Sequence, residues 1–256
     1  LGDRELQLDI YRAKSTPTPA PLLIFIHGGA WKSGQRNDYL VYLLAFAAKG
    51  YVTATVSYRL SKEAVYPAAV QDVTCALRWL KQHSETYGID RHRIALIGGS
   101  AGGHLAMMVG YAHDSGAFSG DCTADSVDDR VQAVVNIYGP CDLTTPFAIS
   151  SSVVVKFLGS NYSDAPATYQ QASPLSWLSA DDPPTCIFHG TIDEVVPVSQ
   201  SDTLKTHLDR LAIANVYHRL KGWPHTMDLS AKVNAYCVYH MHDFLQKHLK
   251  AKQGAL

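Results

Sequence analysis

The chain has 256 residues, of which 46% are hydrophobic and 18% are charged, and its formal net charge is -1. This is an ordinary balance for a globular protein, and the length suits one large α/β domain better than two. The near-neutral charge excludes the basic footprint of a nucleic-acid-binding protein, and no apolar run approaches membrane-spanning length.

The start of the chain bears on its compartment. It begins at Leu1 rather than Met, and it carries no recognisable signal peptide. We expect that an N-terminal segment has been removed. The compartment therefore stays open between secretion or the periplasm, if that segment was a signal, and the cytoplasm if it was not. No pattern indicates the oligomeric state.

Strand patterns and helix patterns alternate along the chain. The predicted strands, mostly apolar β-prone runs, cover residues 5–11, 22–27, 51–58, 94–97, 131–138, 185–189 and 216–220. Helical patterns lie between them at about 38–49, 68–87, 100–113, 198–212 and 227–249. This alternation predicts a mostly parallel, doubly wound sheet with helices on both faces. In such sheets ligands bind at the carboxyl ends of the strands.

One long interval departs from the alternation. Residues 141–184 lie between two predicted strands and carry several aromatic side chains, and we interpret them as a small helical lid or pocket wall. Surface loops over a satellite core are the alternative. No repeat, linker or shift of composition divides the chain, so residues 1–256 are expected to form a single domain.

The most informative stretch is the end of the strand that precedes Ser100. Residues 98–102 read Gly-Gly-Ser-Ala-Gly, with an apolar run before them and a helical pattern after them. This is the G-x-S-x-G pattern in its expected context, where a tight turn presents a serine as a nucleophile. By itself the pattern also fits an ordinary glycine-rich turn, so the hypothesis depends on finding the partners of such a serine.

A nucleophilic serine needs a histidine base, and that base needs an acid to orient it. In this architecture the acid and the histidine follow the serine in that order. Asp193 comes directly after a buried strand, and His225 lies in the loop before the last helix. Asp142 and Glu194 remain as alternative acids, although Glu194 would point elsewhere. Asp228 is too close to His225 in sequence to be a comfortable partner.

The third requirement is a pair of backbone N–H donors for the oxyanion. Residues 27–31 read His-Gly-Gly-Ala-Trp after a predicted strand. The expected donors are the N–H groups of Gly29 or Ala30, together with that of Ala101. Trp31 would wall the pocket or supply a donor itself, and Trp31 and Trp223 are the predicted substrate contacts. No metal or other cofactor is implied.

With these motifs the chain resembles α/β-hydrolase-fold serine esterases, most closely the bacterial acetyl/feruloyl (BD-FAE-like) branch related to hormone-sensitive-lipase-like carboxylesterases. The resemblance covers residues from about 8 to 249. Besides the motifs above, it rests on residues 57–61, 66–73 and 172–175. It implies the α/β-hydrolase fold, with Ser100 as nucleophile, Asp193 as acid and His225 as base. It further implies a carboxylesterase for short acyl esters, with acetyl or feruloyl groups on plant polysaccharides as the specific expectation.

The chain departs from the lipase-like pattern at two points. Ala30 stands where the third glycine would be, and the form H-G-G-x-W also occurs in kynurenine formamidases, so an aryl-formamidase activity on amides stays open. We expect a pocket without the large N-terminal cap of the lipase-like enzymes, which would be open and suit a small-molecule or oligosaccharide ester. A hydrolase fold used only for binding is a further alternative. Such proteins usually lack a triad residue.

Five cysteines are present, without the spacing of a metal site. Cys122 and Cys141 flank one predicted strand, and a disulfide between them is one hypothesis. Such a bond would imply an oxidising compartment.

Overall fold

The computed structural model of the chain describes residues 5–113, 115–120, 122 and 127–250. The predicted domain, 1–256, extends beyond these residues, and Leu1 lies outside them.

The described residues form one sheet of seven strands. In chain order these are β1 (Leu8–Tyr11), β2 (Ala20–Ile26), β3 (Val52–Val56), β4 (Ile89–Gly99), β5 (Ala133–Ile137), β6 (Thr185–Gly190) and β7 (Asn215–Leu220). Their spatial order is β1-β3-β2-β4-β5-β6-β7. Only β1 in this sheet runs antiparallel to its neighbour, and β2 to β7 pair in parallel.

Helices fill the intervals between these strands. They are α1 (Leu40–Ala47), α2 (Ala68–Gln82), α3 (Ser84–Tyr87), α4 (Ala101–Tyr111), α5 (Pro146–Ile149), α6 (Ser152–Leu158), α7 (Pro166–Gln171), α8 (Ser199–Arg210) and α9 (Ala231–His248). Short 3₁₀ helices cover Arg36–Tyr39, Pro174–Ser176 and Met227–Leu229. The predicted α/β class, a mostly parallel sheet with helices, is confirmed.

The sheet separates two apolar cores. Successive side chains of a strand point to opposite faces, so Ile24 and Ile26 of β2 enter one core and Leu23 and Phe25 enter the other. Helices α2, α4 and α8 cover the first face, and α1 and α9 cover the second. The central strands are buried on both sides, which is why they read as continuous apolar runs.

The register brings the carboxyl ends of the central strands level with one another. Ile26 of β2 lies opposite Gly98 of β4, and Gly99 lies opposite Ile137 of β5. Ile137 in turn lies opposite Phe188 of β6. The loops that leave these strands therefore meet at one edge of the sheet.

Two predicted helices are interrupted in the structure. The pattern over 68–87 is divided between α2 and α3, because His83 leaves the helical region at the end of α2. The pattern over 227–249 begins as the 3₁₀ turn Met227–Leu229, and α9 starts only after Ser230, whose backbone is extended. Serine favours such a position at the start of a helix.

The insertion 141–184 is helical, as expected, and contains α5, α6 and α7. It packs through buried aromatic side chains: the ring of Phe157 in α6 stacks on that of Trp31 at 4.4 Å between centroids. Tyr169 in α7 is fully buried and donates its hydroxyl hydrogen to the Ser160 carbonyl. The segment is therefore part of the first core.

The hypothesis of a disulfide between Cys122 and Cys141 is wrong. Cys122 forms a disulfide with Cys75 of α2, with 5.4 Å between the Cα atoms. Cys141 is a buried free thiol whose Sγ donates to the Gln200 carbonyl. Cys122 lies well before the start of β5 and packs beside α2, so a position on either side of β5 in the sequence does not bring the two cysteines together.

Candidate active site

Ser100 stands in a sharp turn between β4 and α4. Its backbone is strained, with φ of 55° and ψ of -122°, and its N–H donates to the Ile137 carbonyl of the neighbouring strand. A Cβ on Gly98 would lie 2.2 Å from the Gly102 carbonyl oxygen, and one on Gly102 would lie 2.0 Å from that of Ile26. The turn therefore requires glycine at both positions, which is the physical basis of the G-x-S-x-G spacing.

The structure brings Ser100, His225 and Asp193 together. His225 Nε2 lies 3.0 Å from Ser100 Oγ, and His225 Nδ1 lies 2.7 Å from Asp193 Oδ2. These residues come from the loops after β4, β7 and β6, which meet at the same sheet edge. The distances are those of hydrogen bonds, and their order is the one required between a nucleophile, a base and an orienting acid.

The environment of Asp193 favours its ionised form. Its Oδ1 accepts hydrogen bonds from the N–H groups of Val195 and Val196. Burial would by itself raise the pKa of the Asp193 carboxyl, but the contacts with His189 and His225 hold that pKa well below its usual range. The carboxylate can therefore stay charged beside His225 across the working pH range of most enzymes.

The alternative acids have other surroundings. Asp142 Oδ1 accepts hydrogen bonds from the N–H and the hydroxyl of Thr144. Glu194 is exposed to solvent. Asp228 accepts a hydrogen bond from the Tyr138 hydroxyl. Among the predicted acids, the structure brings only Asp193 into hydrogen-bond distance of His225.

A cavity of about 520 Å³ opens above Ser100 and His225. Val195 and Leu229, which are both exposed apolar side chains, form part of its rim. No residue of 141–184 is among those that line this cavity, and a role of that segment as a lid or pocket wall stays a prediction. A larger cavity of about 1080 Å³ lies beneath β1 and is lined by none of the predicted catalytic residues.

The predicted oxyanion residues lie at the same cavity. Gly29 and Ala30 line it, and Ala30 adopts a left-handed backbone with φ of 56°. Ala101 is the first residue of α4, directly after Ser100. The first N–H groups of a helix have no partner within the helix, and they carry partial positive charge. The arrangement suits an anion that forms next to Ser100 Oγ.

A model of the BD-FAE family matches residues 8–208 of the chain. The chain belongs to the BD-FAE family. Its fold is that of the α/β-hydrolases. The sequence is 34% identical over 238 residues to "Esterase LipC" of Mycobacterium tuberculosis (strain ATCC 25618 / H37Rv), covering 89% of this chain and 59% of that relative. The chain thus spans about three fifths of the length of this curated relative.

Solved structures are similar over almost the whole chain. A truncated carbohydrate esterase from gut microbiota superposes with a TM-score of 0.83 at 27% identity, covering 94% of this chain and 90% of that one. Native Est2 of Thermogutta terrifontis, a thermophilic esterase, superposes with a TM-score of 0.82 at 24% identity, covering 98% of this chain and 91% of that one. The second similarity concerns the fold.

The predicted substrate contacts of this BD-FAE member, Trp31 and Trp223, are not among the residues that line the cavity, and their role stays a prediction. Trp31 is only 4% exposed, and its Nε1–H donates to His104 Nδ1 rather than facing the cavity. Trp223 is half-buried and packs against the second core. Neither indole lines the cavity above Ser100. Tryptophan beside a catalytic loop suggests a pocket wall, but the Trp31 ring is buried by stacking on Phe157.

A polar cluster in the cavity wall was not predicted from the sequence. Tyr39, Tyr138 and Asp228 line the cavity, and the Tyr138 ring lies 4.5 Å from that of His225. Tyr138 donates to Asp228 Oδ1, and Tyr42 lies 3.5 Å from Oδ2. Burial raises the pKa of the Asp228 carboxyl, and the hydrogen bond from Tyr138 opposes this rise.

A signal for one member of this cluster was present in the sequence. Tyr138 directly follows β5, at the edge where ligands bind in such sheets. No comparable signal marked Tyr39, which lies in a 3₁₀ turn after β2.

Within the described ranges, no group of three or more His, Cys, Asp or Glu side chains could hold a metal ion. Across residues 5–250, apart from the gaps given above, we found no helix with the length and apolarity needed to span a membrane.

Proposed function

We propose that this BD-FAE member is a serine carboxylesterase that hydrolyses short acyl esters through an acyl-enzyme. The observation that carries the proposal is the continuous contact from Ser100 Oγ through His225 to Asp193, at 3.0 and 2.7 Å. An ordinary glycine-rich turn does not require a histidine and then an aspartate in hydrogen-bond contact with its serine. Membership of the family and the similarity to "Esterase LipC" support the same reaction class.

In the proposed first step, His225 Nε2 accepts the proton of Ser100 Oγ while Oγ bonds to the ester carbonyl carbon. The carbonyl oxygen becomes an oxyanion, held by the N–H of Ala101 and that of Gly29 or Ala30. Asp193 keeps Nδ1 of the ring protonated and stabilises the imidazolium.

Collapse of this intermediate breaks the bond to the alcohol oxygen, which leaves with the proton from His225. An acyl group then remains on Ser100. In the second step water gives a proton to His225 Nε2 and attacks the acyl carbon. The acid is released as Oγ takes the proton back, so the protein ends unchanged.

For the substrate we propose acetyl or feruloyl esters on plant polysaccharides. The similarity at 27% identity to a carbohydrate esterase supports a carbohydrate on the alcohol side. The cavity of about 520 Å³ is within the usual size of a small-molecule site. Its apolar rim of Val195 and Leu229 is exposed, which is compatible with an acyl group whose alcohol side extends into solvent.

The test uses acetylated and feruloylated xylo-oligosaccharides, with Ser100→Ala as the blank and product masses as the readout. Loss of acetyl or feruloyl groups with the wild type alone is the expected result. Cleavage of phenyl acetate without loss of acetyl or feruloyl groups would support a serine esterase but refute plant polysaccharides as its substrate. Full activity of Ser100→Ala would remove the mechanism.

One observation favours a second candidate, an aryl-formamidase activity on amides. The stretch 27–31 has the form H-G-G-x-W, which resembles that of kynurenine formamidases. Turnover of N-formylkynurenine compared with that of phenyl acetate separates the two. A protein used only for binding would not become labelled at Ser100 by a fluorophosphonate.

We also propose an oxidising compartment, secreted or periplasmic. The disulfide between Cys75 and Cys122 supports this, since such bonds persist outside the cytosol. Peptide mapping without reductant should recover these two cysteines as one linked species.

A further inference from the structure

The carboxylate of Asp193 lies between two histidines, and the proposed mechanism uses only one of them. Its Oδ2 is 2.7 Å from Nδ1 of His225 and 3.1 Å from Nε2 of His189. His189 belongs to β6, and its side chain has no exposed surface. A polar ring buried to this extent must have its hydrogen-bonding groups satisfied.

The remaining contacts of His189 fix the orientation of its ring. Nε2 lies 2.9 Å from the Val196 carbonyl oxygen, and Nδ1 lies 2.7 Å from Ser201 Oγ at the start of α8. A carbonyl only accepts, so Nε2 carries the hydrogen and donates to Val196. In the singly protonated ring, the Ser201 hydroxyl then donates to Nδ1.

These contacts link the ring to the loop that carries the acid. The N–H groups of Val195 and Val196 bond to Asp193 Oδ1, while the carbonyl of the same Val196 is held by His189. The His189 ring therefore fixes the position of the turn whose N–H groups donate to Asp193 Oδ1. It also places the positive end of its N–H dipole 3.1 Å from the other oxygen.

A second buried histidine shows that burial alone does not create this arrangement. His104 is fully buried, its Nε2 lies 2.8 Å from the Ala172 carbonyl oxygen, and its Nδ1 accepts from Trp31. Both histidines are satisfied by one carbonyl and one donor. Only His189 adds a carboxylate that itself contacts His225.

We propose that His189 is a positioning residue, which holds Asp193 Oδ2 against His225 Nδ1 by clamping the loop 193–196 between β6 and α8. The inference rests on the proposed function, because it concerns the orientation of the base. The contacts of Asp193, including that with His189, keep the pKa of the carboxyl low, which agrees with this role.

Two amide variants separate the contacts of the ring. In His189→Gln the side-chain amide nitrogen is separated from Cβ by the same number of bonds as Nε2 of the histidine. It can therefore still donate a hydrogen bond to the Val196 carbonyl beside Asp193. In His189→Asn the amide reaches only the position of Nδ1, near Ser201. Removal of a group that orients a metal ligand typically costs about 10- to 100-fold, and we expect the same scale for a group that orients Asp193. We expect His189→Asn to lower kcat for phenyl acetate by about that factor, with KM within about threefold, and His189→Gln to retain most of kcat.

A double-mutant cycle distinguishes positioning from general destabilisation. Residues that act as a unit are non-additive, so His189→Asn should cost less than about twofold more in kcat when Asp193 is already Asn. Unchanged kcat in His189→Asn, equal losses in the Gln and Asn variants, or a full additional loss in the double variant would each overturn the inference. Circular dichroism and thermal unfolding verify that each variant is folded.

If His189→Asn does not fold, Ser201→Ala replaces it, because it removes the hydroxyl that contacts Nδ1 of His189. A lowered kcat at unchanged KM supports the inference, and an unchanged kcat overturns it. If the wild type neither cleaves phenyl acetate nor reacts with a fluorophosphonate, the proposed function has failed. If the wild type is active and His189→Asn has an unchanged kcat, the positioning role alone is refuted.

Discussion

The loops that carry Ser100, Asp193 and His225 and the insertion 141–184 are held by different kinds of contact. The three loops leave neighbouring parallel strands and meet through short polar contacts, such as the 2.7 Å between His225 and Asp193. The insertion packs through apolar and aromatic faces, such as Phe157 on Trp31. Polar contacts of fixed length orient chemical groups, while apolar burial stabilises the fold without demanding one geometry.

This difference predicts which property changes when each region is altered. Substitutions among the three loops should change kcat with little effect on stability. Substitutions in the insertion should change stability with little effect on the cavity, since none of its residues lines that cavity.

The largest effect is expected for Asp193→Asn. The amide cannot hold His225 in the required tautomer, and in a serine protease triad the equivalent change lowers kcat by about 10⁴-fold. The measurement is kcat for phenyl acetate. Asp142→Asn and Glu194→Gln are matched controls that should remain within about threefold of the wild type. A large loss in Asp142→Asn with little loss in Asp193→Asn would move the acid to the preceding strand.

The next effect should follow Phe157→Ala in the insertion. The ring is 2% exposed and contacts Trp31, Tyr66 and His104. Its truncation should lower the free energy of unfolding by about 3–5 kcal/mol, measured by urea denaturation. Lys156→Ala on the same helix is exposed and should stay within about 0.5 kcal/mol. A marked rise of KM for phenyl acetate would show that the insertion does form part of the pocket.

A smaller, pH-dependent effect is expected at Asp182, near the end of the insertion. Burial raises the pKa of its carboxyl to about 7, above that of an unfolded aspartate, so the folded state binds the proton more tightly. This contribution to stability is full below about pH 4 and is lost as pH rises to about 7. Asp182→Asn should therefore stabilise the protein by about 1–2 kcal/mol more at pH 8 than at pH 5, after discounting for solvent screening.

The control for that prediction is its exposed neighbour. The hydrogen bond from the Ser179 hydroxyl lowers the pKa of Asp181, so Asp181→Asn should give the same change in stability at both pH values. Urea denaturation at pH 5 and pH 8 provides the comparison. An Asp182→Asn effect that is independent of pH would contradict the raised pKa.

The smallest effect is expected at the rim of the cavity. Leu229 is 81% exposed and lines the cavity above Ser100. Leu229→Ala should lower kcat/KM for a feruloyl ester by about threefold, because partial apolar contact with a larger acyl group is lost. An acetyl ester should be unaffected. An equal loss for both esters would indicate that the side chain shapes the loop of His225 rather than the acyl site.

The sequence predicted some features of the site well because they depend on local chemistry. Gly98 and Gly102 are required by contacts of the turn itself, so their spacing around Ser100 is visible in the chain. Strand order places Asp193 and His225 at one edge, so their proximity follows from the alternation of strands and helices.

Other features depended on distant partners. Trp31 turns inward because Phe157 offers it a stacking surface, and Cys122 pairs with Cys75 because α2 passes beside it. Neither partner is marked by spacing. The cluster of Tyr39, Tyr138 and Asp228 likewise forms from three separate elements, so no motif could reveal it.

The sequence by itself therefore determined the α/β class, the serine turn and the chain order of the candidate acid and base, since each rests on periodicity or on local backbone geometry. Tertiary structure alone decided the disulfide, the inward packing of Trp31 and the second histidine on Asp193. The physical reason is that side-chain contacts between distant segments depend on how the helices and loops pack around the sheet, and periodicity carries no record of that packing.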